Sequence, residues 1–332
     1  MGNIKLKDIA GVLKVSTVTV SNALSGKKGV SEELREQVFQ TAKELGYDLS
    51  KYERSGESAR IGVVVADKYL EVGVSFYWAL YQQVVYAASK SQSLTMFEVL
   101  EKEYEEKGTL PKMVREKTID GLIVIGWVKK EYIRKLVNVS GIPIVLLDFS
   151  MRDIPCDAVM SNNYVGMYKV TRYLLDHGHR DIAFVGSVRD NTNIMDRYYG
   201  YRKALLEAEI AFRQVWCLED RDLVTGEIKV ELPEPMPTAF ACNSDLTASC
   251  LYDVLKERGY RIPEDISIAA YDNYLFGHSF AKRLTTYNVD MKQMAEMAMK
   301  LLIGKIQGKD KRFGIRYIDS VIVERSSVKI LS

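Results

Sequence analysis

At 332 residues and 47% hydrophobic content, the chain is long enough for a small head plus a core of two lobes, and its net charge of +2 excludes function through a uniformly basic or acidic surface. No window approaches the roughly 18 apolar residues of a membrane span and no signal-peptide run stands near Lys5, so a cytoplasmic protein with no membrane partner is expected. Cys156, Cys217, Cys242 and Cys250 form no C-x-x-C pair and read as reduced thiols; with His177, His179 and His278 as the histidines, no metal and no cofactor are expected.

In chain order, Leu6, Ile9, Ala10 and Leu13 recur at helical spacing. Ser16 is placed to cap a second short helix whose buried face is Val20, Ala23 and Leu24. Only Lys14 to Ser16 separate the two, which is a helix-turn-helix pattern. The opposite face of the second helix carries Thr17, Val18, Thr19, Ser21 and Asn22, with no acidic residue. Around it Lys5, Lys7, Lys14, Lys27 and Lys28 oppose Asp8 alone. Such a face suits a major groove, where hydroxyls meet phosphates, an amide meets base edges and a valine methyl meets a thymine methyl. On this reading Thr17, Val18 and Asn22 contact bases, Ser16, Thr19 and Ser21 contact phosphates, and Lys5 and Lys27 add charge. A small helical bundle used for protein contacts shares the pattern. Ser31 then caps a third helix, with Glu32 and Glu33 in its first turn, Leu34, Val38, Ala42 and Leu45 on one face, and Gly46 at its end.

Lys7-Asp8-Ile9-Ala10, Val15-Ser16, Thr19-Val20-Ser21, Leu24-Ser25-Gly26, Gly29-Val30-Ser31 and Leu45-Gly46-Tyr47 together resemble the LacI/GalR family of bacterial transcription regulators. The resemblance implies a headpiece over residues 1–47 and a hinge over 48–60. In the family a hinge helix wedges a leucine into the minor groove at the centre of the site. Here Arg54-Ser55-Gly56 lacks that leucine, leaving Tyr52 and Arg54 as substitutes.

From Ile61 short apolar runs alternate with amphipathic stretches. Ile61–Ala66, Thr95–Val99, Gly121–Ile125 and Ile144–Leu147 read as buried parallel strands, with helices over Phe76–Ser89, Tyr104–Lys117 and Glu131–Val139. The rhythm restarts after Asn163, with strands at Ile182–Val185, Thr238–Ala241 and Ile266–Ala270 and helices over Gly166–Leu175, Asp196–Glu207, Leu246–Lys256 and Met291–Ile306. The expected fold is an N-terminal all-α helix-turn-helix headpiece plus an α/β core, 61–332, of two doubly wound lobes like those of periplasmic binding proteins. The resemblance implies three crossings, near Ser161, Val289 and Tyr317, giving lobe one 61–161 and 290–317 and lobe two 162–289 and 318–332. The end of the chain reads as strand-like from Ile318 to Val323 and again over Val328 to Leu331. Gly178-His179-Arg180-Asp181, Gly200-Tyr201-Arg202 and Leu284-Thr285-Thr286 extend the resemblance, and His177 and His179 read as structural loop residues.

Ligands of open α/β sheets bind beyond the carboxyl ends of the strands. Asp148, Asn243, Ser244, Asp245, Asp272 and Asn273 stand there, with Trp127 and the stretch Ser75, Phe76 and Tyr77 supplying aromatic faces. Carboxylates and amides beside rings suit a sugar or sugar derivative. Asp245 is equally placed to cap a helix, and Phe76 and Tyr77 to fill a core. Arg197 matches the family's effector-reaching arginine, while the aromatic of the second lobe's ligand wall is replaced around Asp220-Arg221. The expectation is a homodimeric repressor that binds a pseudo-palindromic double-stranded operator under control of a sugar-like effector. The rivals are a solute-binding protein and a sugar-active α/β enzyme. The chain has no G-x-G-x-x-G, G-x-x-x-x-G-K-S/T or G-x-S-x-G, so no catalytic residue is expected.

Overall fold

A computed structural model describes residues 4–25, 29–47, 49, 58–70, 76–222, 226–274, 277–309 and 312–331. Lys27, Lys28, Ser75 and the hinge residues Tyr52 to Gly56 lie outside the described residues.

The head is a three-helix unit of α1 (Leu6–Leu13), α2 (Thr17–Leu24) and α3 (Glu32–Glu44). Each start is set by a short polar side chain. The Asp8 carboxylate accepts from Lys5 N at 2.7 Å, Ser16 Oγ from Thr19 N at 3.0 Å, and Ser31 Oγ from Leu34 N at 3.3 Å. Lys14, in the left-handed region at φ 55°, ends α1 and turns the chain into α2. The helices close over Ile9, Ala10, Val20, Ala23, Leu24, Val38 and Ala42, with Leu49 beneath them.

Lobe one carries β1 (Arg60–Ala66), α4 (Phe76–Lys90), β2 (Leu94–Leu100), α5 (Lys102–Lys107), α6 (Lys112–Arg115), β3 (Gly121–Ile125), α7 (Lys130–Ser140), β4 (Ile144–Leu147) and β5 (Asp157–Ser161). The chain then enters lobe two through α8 (Asn163–Asp176), β6 (Ile182–Val185), α9 (Thr192–Glu207), β7 (Cys217–Leu218), β8 (Ala239–Cys242), α10 (Asp245–Glu257), β9 (Ser267–Asp272) and β10 (Thr285–Asn288). It returns with α11 (Met291–Ile306), which packs on α4, β3, β4 and β5, and with β11 (Ile315–Ile318), before crossing a last time to β12 (Ile322–Val323).

Among the described residues the strands form two six-stranded sheets of matching order, β2-β1-β3-β4-β5-β11 and β7-β6-β8-β9-β10-β12. All pairings are parallel except β10 with β12. Both faces of each sheet are covered, which is why the strands read as unbroken apolar runs. In β1, Ile61, Val63 and Val65 face α4 and α11, while Val64 and Ala66 face the side of Met113, Ile133 and Leu136. At Gly200 an added Cβ would stand 2.1 Å from the Tyr164 carbonyl oxygen, so glycine is what lets α8 and α9 cross so closely.

Three expectations are corrected. The helix expected over Tyr104–Lys117 is split into α5 and α6, because Gly108 adopts φ 63° and Pro111 follows. Ile318–Val323 is not one strand: β11 ends at Ile318 in one sheet and β12 begins at Ile322 in the other. Val328–Leu331 is not a strand either; its backbone is tied to His177 and Ser267 instead. The His179 ring is fully buried between Thr238 Oγ1 at 3.0 Å and the Lys329 carbonyl at 3.2 Å. Burial brings its pKa down to about 4, so it is a neutral structural residue.

Candidate functional site

On the head, α2 turns Val20, Ala23 and Leu24 inward and leaves Thr17 and Val18 exposed, with Thr19, Ser21 and Asn22 half-buried beside them. Val18 is 66% exposed, more than core packing asks of a valine. Ser16 has a structural duty as the cap of α2, and its hydroxyl lies 2.8 Å from that of Thr19. Lys5, also exposed, precedes α1.

In the core, the carboxyl ends of the two sheets face each other. Asp148 follows β4 and Asp272 ends β9, equivalent places in the two lobes, and both adopt positive φ (69° and 116°). Non-glycine residues rarely take that backbone, and such strain concentrates at functional sites. Gly126, after β3, has φ 78°; a Cβ there would lie 2.6 Å from the Tyr69 ring, so a glycine admits the aromatic wall.

Arg197, from the buried face of α9, is the centre. Its Nε donates to Asn163 Oδ1 at 2.8 Å and Nη1 to the Asn243 carbonyl at 2.5 Å; Nη1 also lies 3.3 Å from Asp272 Oδ1, and the guanidinium covers the Tyr271 ring at 3.9 Å. One turn earlier on α9, Asn193 Nδ2 crosses to lobe one, donating to the Asp148 carbonyl at 2.9 Å and to Asp148 Oδ2 at 3.3 Å. Phe76 meets Tyr274 edge-on at 5.5 Å, again from opposite lobes.

Burial raises the Asp148 carboxyl to about 6 against the opposing pull of Arg197 and Tyr77. Asp272 is held well above the usual carboxylate range by burial, although Arg197 favours its ionised form. Three atoms here, Asp148 Oδ1, Asn163 Nδ2 and Asn193 Oδ1, are buried with no hydrogen-bond partner among the described residues. They are two acceptors and one donor, a set that burial makes costly unless something else completes it.

Of the residues expected from sequence, Asp148, Arg197, Asp272, Phe76 and Tyr77 converge on this cleft. Trp127 stands at its rim, 36% exposed, with the Lys68 ammonium 4.8 Å from its ring centroid. Asn243 and Asp245 are spent on the wall. Asn243 Nδ2 donates to Val185 O, Asp220 Oδ2 and Thr247 Oγ1, and the Asp245 carboxylate accepts from Tyr274 N and Thr286 Oγ1. The cap of α10 is Ser244, not Asp245. Sequence reasoning missed Asn163, Asn193, Tyr69 and Tyr274. Asn193 had a usable signal, four residues before Arg197 on one helical face. Asp220 is fully buried, holds Arg221 at 2.9 Å, and lies well below the usual carboxylate range: burial opposes its ionisation, but Arg221, Thr247 and Asn243 together outweigh that.

Comparison with known proteins finds two family models. Residues 5–49 match the bacterial regulatory proteins of the lacI family, and residues 171–328 match a periplasmic binding protein-like domain. The chain is 30% identical to the HTH-type transcriptional repressor PurR of Histophilus somni (strain 129Pt), over 98% of this chain and 99% of that one. PurR of Vibrio atlanticus (strain LGP32) is also 30% identical, over 98% and 99%. Among solved structures, the regulator CelR in complex with cellobiose has a TM-score of 0.68 at 22% identity over 98% of this chain and 100% of that one. The Lac repressor dimer bound to operator and the anti-inducer ONPF has a TM-score of 0.67 at 20% identity over 99% and 100%. These last two share the fold.

Proposed function

The chain belongs to the LacI family of bacterial regulatory proteins and is a DNA-binding transcriptional repressor, and from that premise we propose that it is released from or seated on its operator by a sugar-like effector held between the core lobes. The observation that carries this reading is the orphaned trio of Asp148 Oδ1, Asn163 Nδ2 and Asn193 Oδ1, drawn from both lobes and bounded by aromatic rings. A polyhydroxylated ring supplies hydroxyl donors to the two acceptors and an oxygen to the amide, while its apolar face lies on Phe76 or Tyr77. Closing the lobes on such a ligand strengthens the contact of Asn193 with Asp148 and shifts the population of lobe arrangements.

The proposed division is a headpiece to residue 47, a hinge to 60 and the two-lobed core beyond. Thr17, Val18 and Asn22 read bases in this scheme, and Ser16, Thr19, Ser21 and Lys5 hold phosphates. The repressor acts as a homodimer on a pseudo-palindrome. In support, α4 and the edge strand β2 expose Trp78, Tyr86, Leu94 and Met96 on one side of lobe one, a large apolar surface for an edge strand.

A thermal-shift screen against neutral sugars and sugar derivatives, followed by operator binding with each hit, tests the effector. A hit is expected to raise the midpoint of the wild type, to change operator affinity, and to lose both effects in Asp148→Ala. A ligand that acts equally on wild type and Asp148→Ala places the effector elsewhere.

A further inference from the structure

Asp148 stands just beyond β4, 3% exposed, and among the described residues no lysine or arginine forms an ion pair with it. The cations nearby are engaged by other groups. Arg197 Nη1 lies 3.3 Å from Asp272 Oδ1, and Arg221 meets Asp220 at 2.9 Å and Asp190 at 3.5 Å. Lys68 sits over the rings of Tyr69 and Trp127, 4.9 and 4.8 Å from their centres. Asp245, another buried carboxylate of the wall, is answered by Tyr274 N and Thr286 Oγ1. Asp148 Oδ2 accepts from the Asn193 amide, while Oδ1 has no partner among the described residues. Buried charges are ordinarily paired, so this carboxylate is short of a cation as well as a donor.

A second free acceptor lies beside it. Asn193 Nδ2 is 3.3 Å from Asp148 Oδ2, so Asn193 Oδ1, the other end of the same amide and likewise without a partner, flanks the carboxylate. A hydroxyl brings one donor and no charge to such a pair; an ammonium brings three donors and the missing positive charge. The wall suits a cation too. Tyr274, Phe76, Tyr77 and Tyr69 follow one another in ring contact, with centres 5.5, 5.3 and 4.2 Å apart, and the faces of such rings attract cations. Lys68 already uses two rings in this way at the rim.

We propose that the cleft takes an amino sugar, with its ammonium between Asp148 Oδ1 and Asn193 Oδ1 and a ring or hydroxyl oxygen on Asn163 Nδ2. The inference deepens the sugar-like reading above and rests on it. Arg197 does not stand in the way, since Asp272 offsets its charge and its Nε and Nη1 are bound to Asn163 and to the Asn243 carbonyl. The groups that act on the charge of Asp148 are Arg197 from α9, Tyr77 from α4, Tyr69 after β1 and Asp272 from β9. Burial holds Asp148 at about 6, so at pH 7 it is mostly ionised while an amine on a sugar ring is still mostly protonated.

Glucosamine, galactosamine and mannosamine are each titrated calorimetrically into the full-length protein at about pH 7, beside the parent hexose and the N-acetyl derivative. At least one amine is expected to bind about tenfold more tightly than both of its neutral counterparts. Its Kd should rise by up to about tenfold per pH unit below pH 6, because a proton on Asp148 competes with the ammonium. Asp148→Asn, which keeps the shape and removes the charge, should bring amine and parent hexose to within about twofold of each other. If no amine binds more tightly than its parent hexose and its N-acetyl derivative, the inference is overturned, and a neutral sugar that does bind leaves the reading beneath it in place. A preference that survives in Asp148→Asn, or that is unchanged from about pH 7 to pH 5, overturns it equally. Where none of these sugars binds, the inference falls and the wider screen alone decides the sugar-like reading.

Discussion

Asn193 in lobe two donates at once to the backbone carbonyl and to the carboxylate of Asp148 in lobe one, at 2.9 and 3.3 Å. A single amide thus spans the cleft, and it stands one turn from Arg197, which ties α9 to Asn163, Asn243 and Asp272. The contact between the lobes and the proposed effector site share one helix, so any ligand bound there acts directly on the relative placement of the lobes.

Asn193→Ala deletes that span and one of the three orphaned atoms. Effector affinity is expected to fall about tenfold, near 1.4 kcal/mol, and operator affinity in the absence of effector to shift as well, because the lobes lose a contact between them. Calorimetric titration with a confirmed effector checks the first part and operator titration the second. An unchanged effector affinity removes Asn193 from the site.

The raised pKa of Asp148, about 6, fixes the sign of a pH effect. Its folded value lies above the unfolded value near 3.9, so the native state binds more protons between the two. Stability from this group is therefore greatest below about pH 4 and falls as pH rises to about 6. Asp148→Asn, which cannot ionise, should be the more stable protein at pH 7.5, by about 2–3 kcal/mol, with the gap closing toward pH 4. Denaturant unfolding across that range measures it; a constant gap contradicts the assignment.

Arg197 is buried and holds Asp272, so its loss does two kinds of damage. Arg197→Ala leaves a buried carboxyl unpaired and should cost about 3–5 kcal/mol. Arg197→Lys keeps the charge but not the fork that serves Asn163 and Asn243 together, and should fold while losing the effector response. Unfolding curves and effector-dependent operator binding separate the two; a lysine variant with full response would show that charge alone matters.

The helix-turn-helix and the apolar strands were legible in the sequence because each is local: a cap, a helical spacing, an unbroken Val/Ile run. The strands β5, β10 and β11 were not recognised, since Asp157 and Ser161, Thr285 and Asn288, and Arg316 respectively interrupt their apolar pattern and their pairing is fixed only by distant segments. The site divides along the same line. Asp148 and Asp272 stand just beyond or at strand ends and could be named in advance. Asn243 and Asp245 stand equally well placed, yet the buried Asp220, 23 residues from Asn243, draws the Asn243 amide into the wall. Such a choice between facing a ligand and facing a neighbour depends on contacts remote in sequence.

On the DNA side, Asn22 is half-buried one turn from the exposed Val18, on the face of α2 turned away from Val20 and Leu24. An amide there can pair with an adenine edge, and its removal should cost about 1–3 kcal/mol at one base pair in each half-site. Lys5, which carries charge without base-reading geometry, should instead weaken binding to all sequences and reduce the salt slope by about one when changed to alanine. Competition between the selected operator and its single-base variants distinguishes the two roles. Asn22→Ala must flatten preference at one position while leaving non-specific affinity in place. Equal loss on operator and random DNA would move Asn22 to the phosphate-contacting group and leave base reading to Thr17 and Val18.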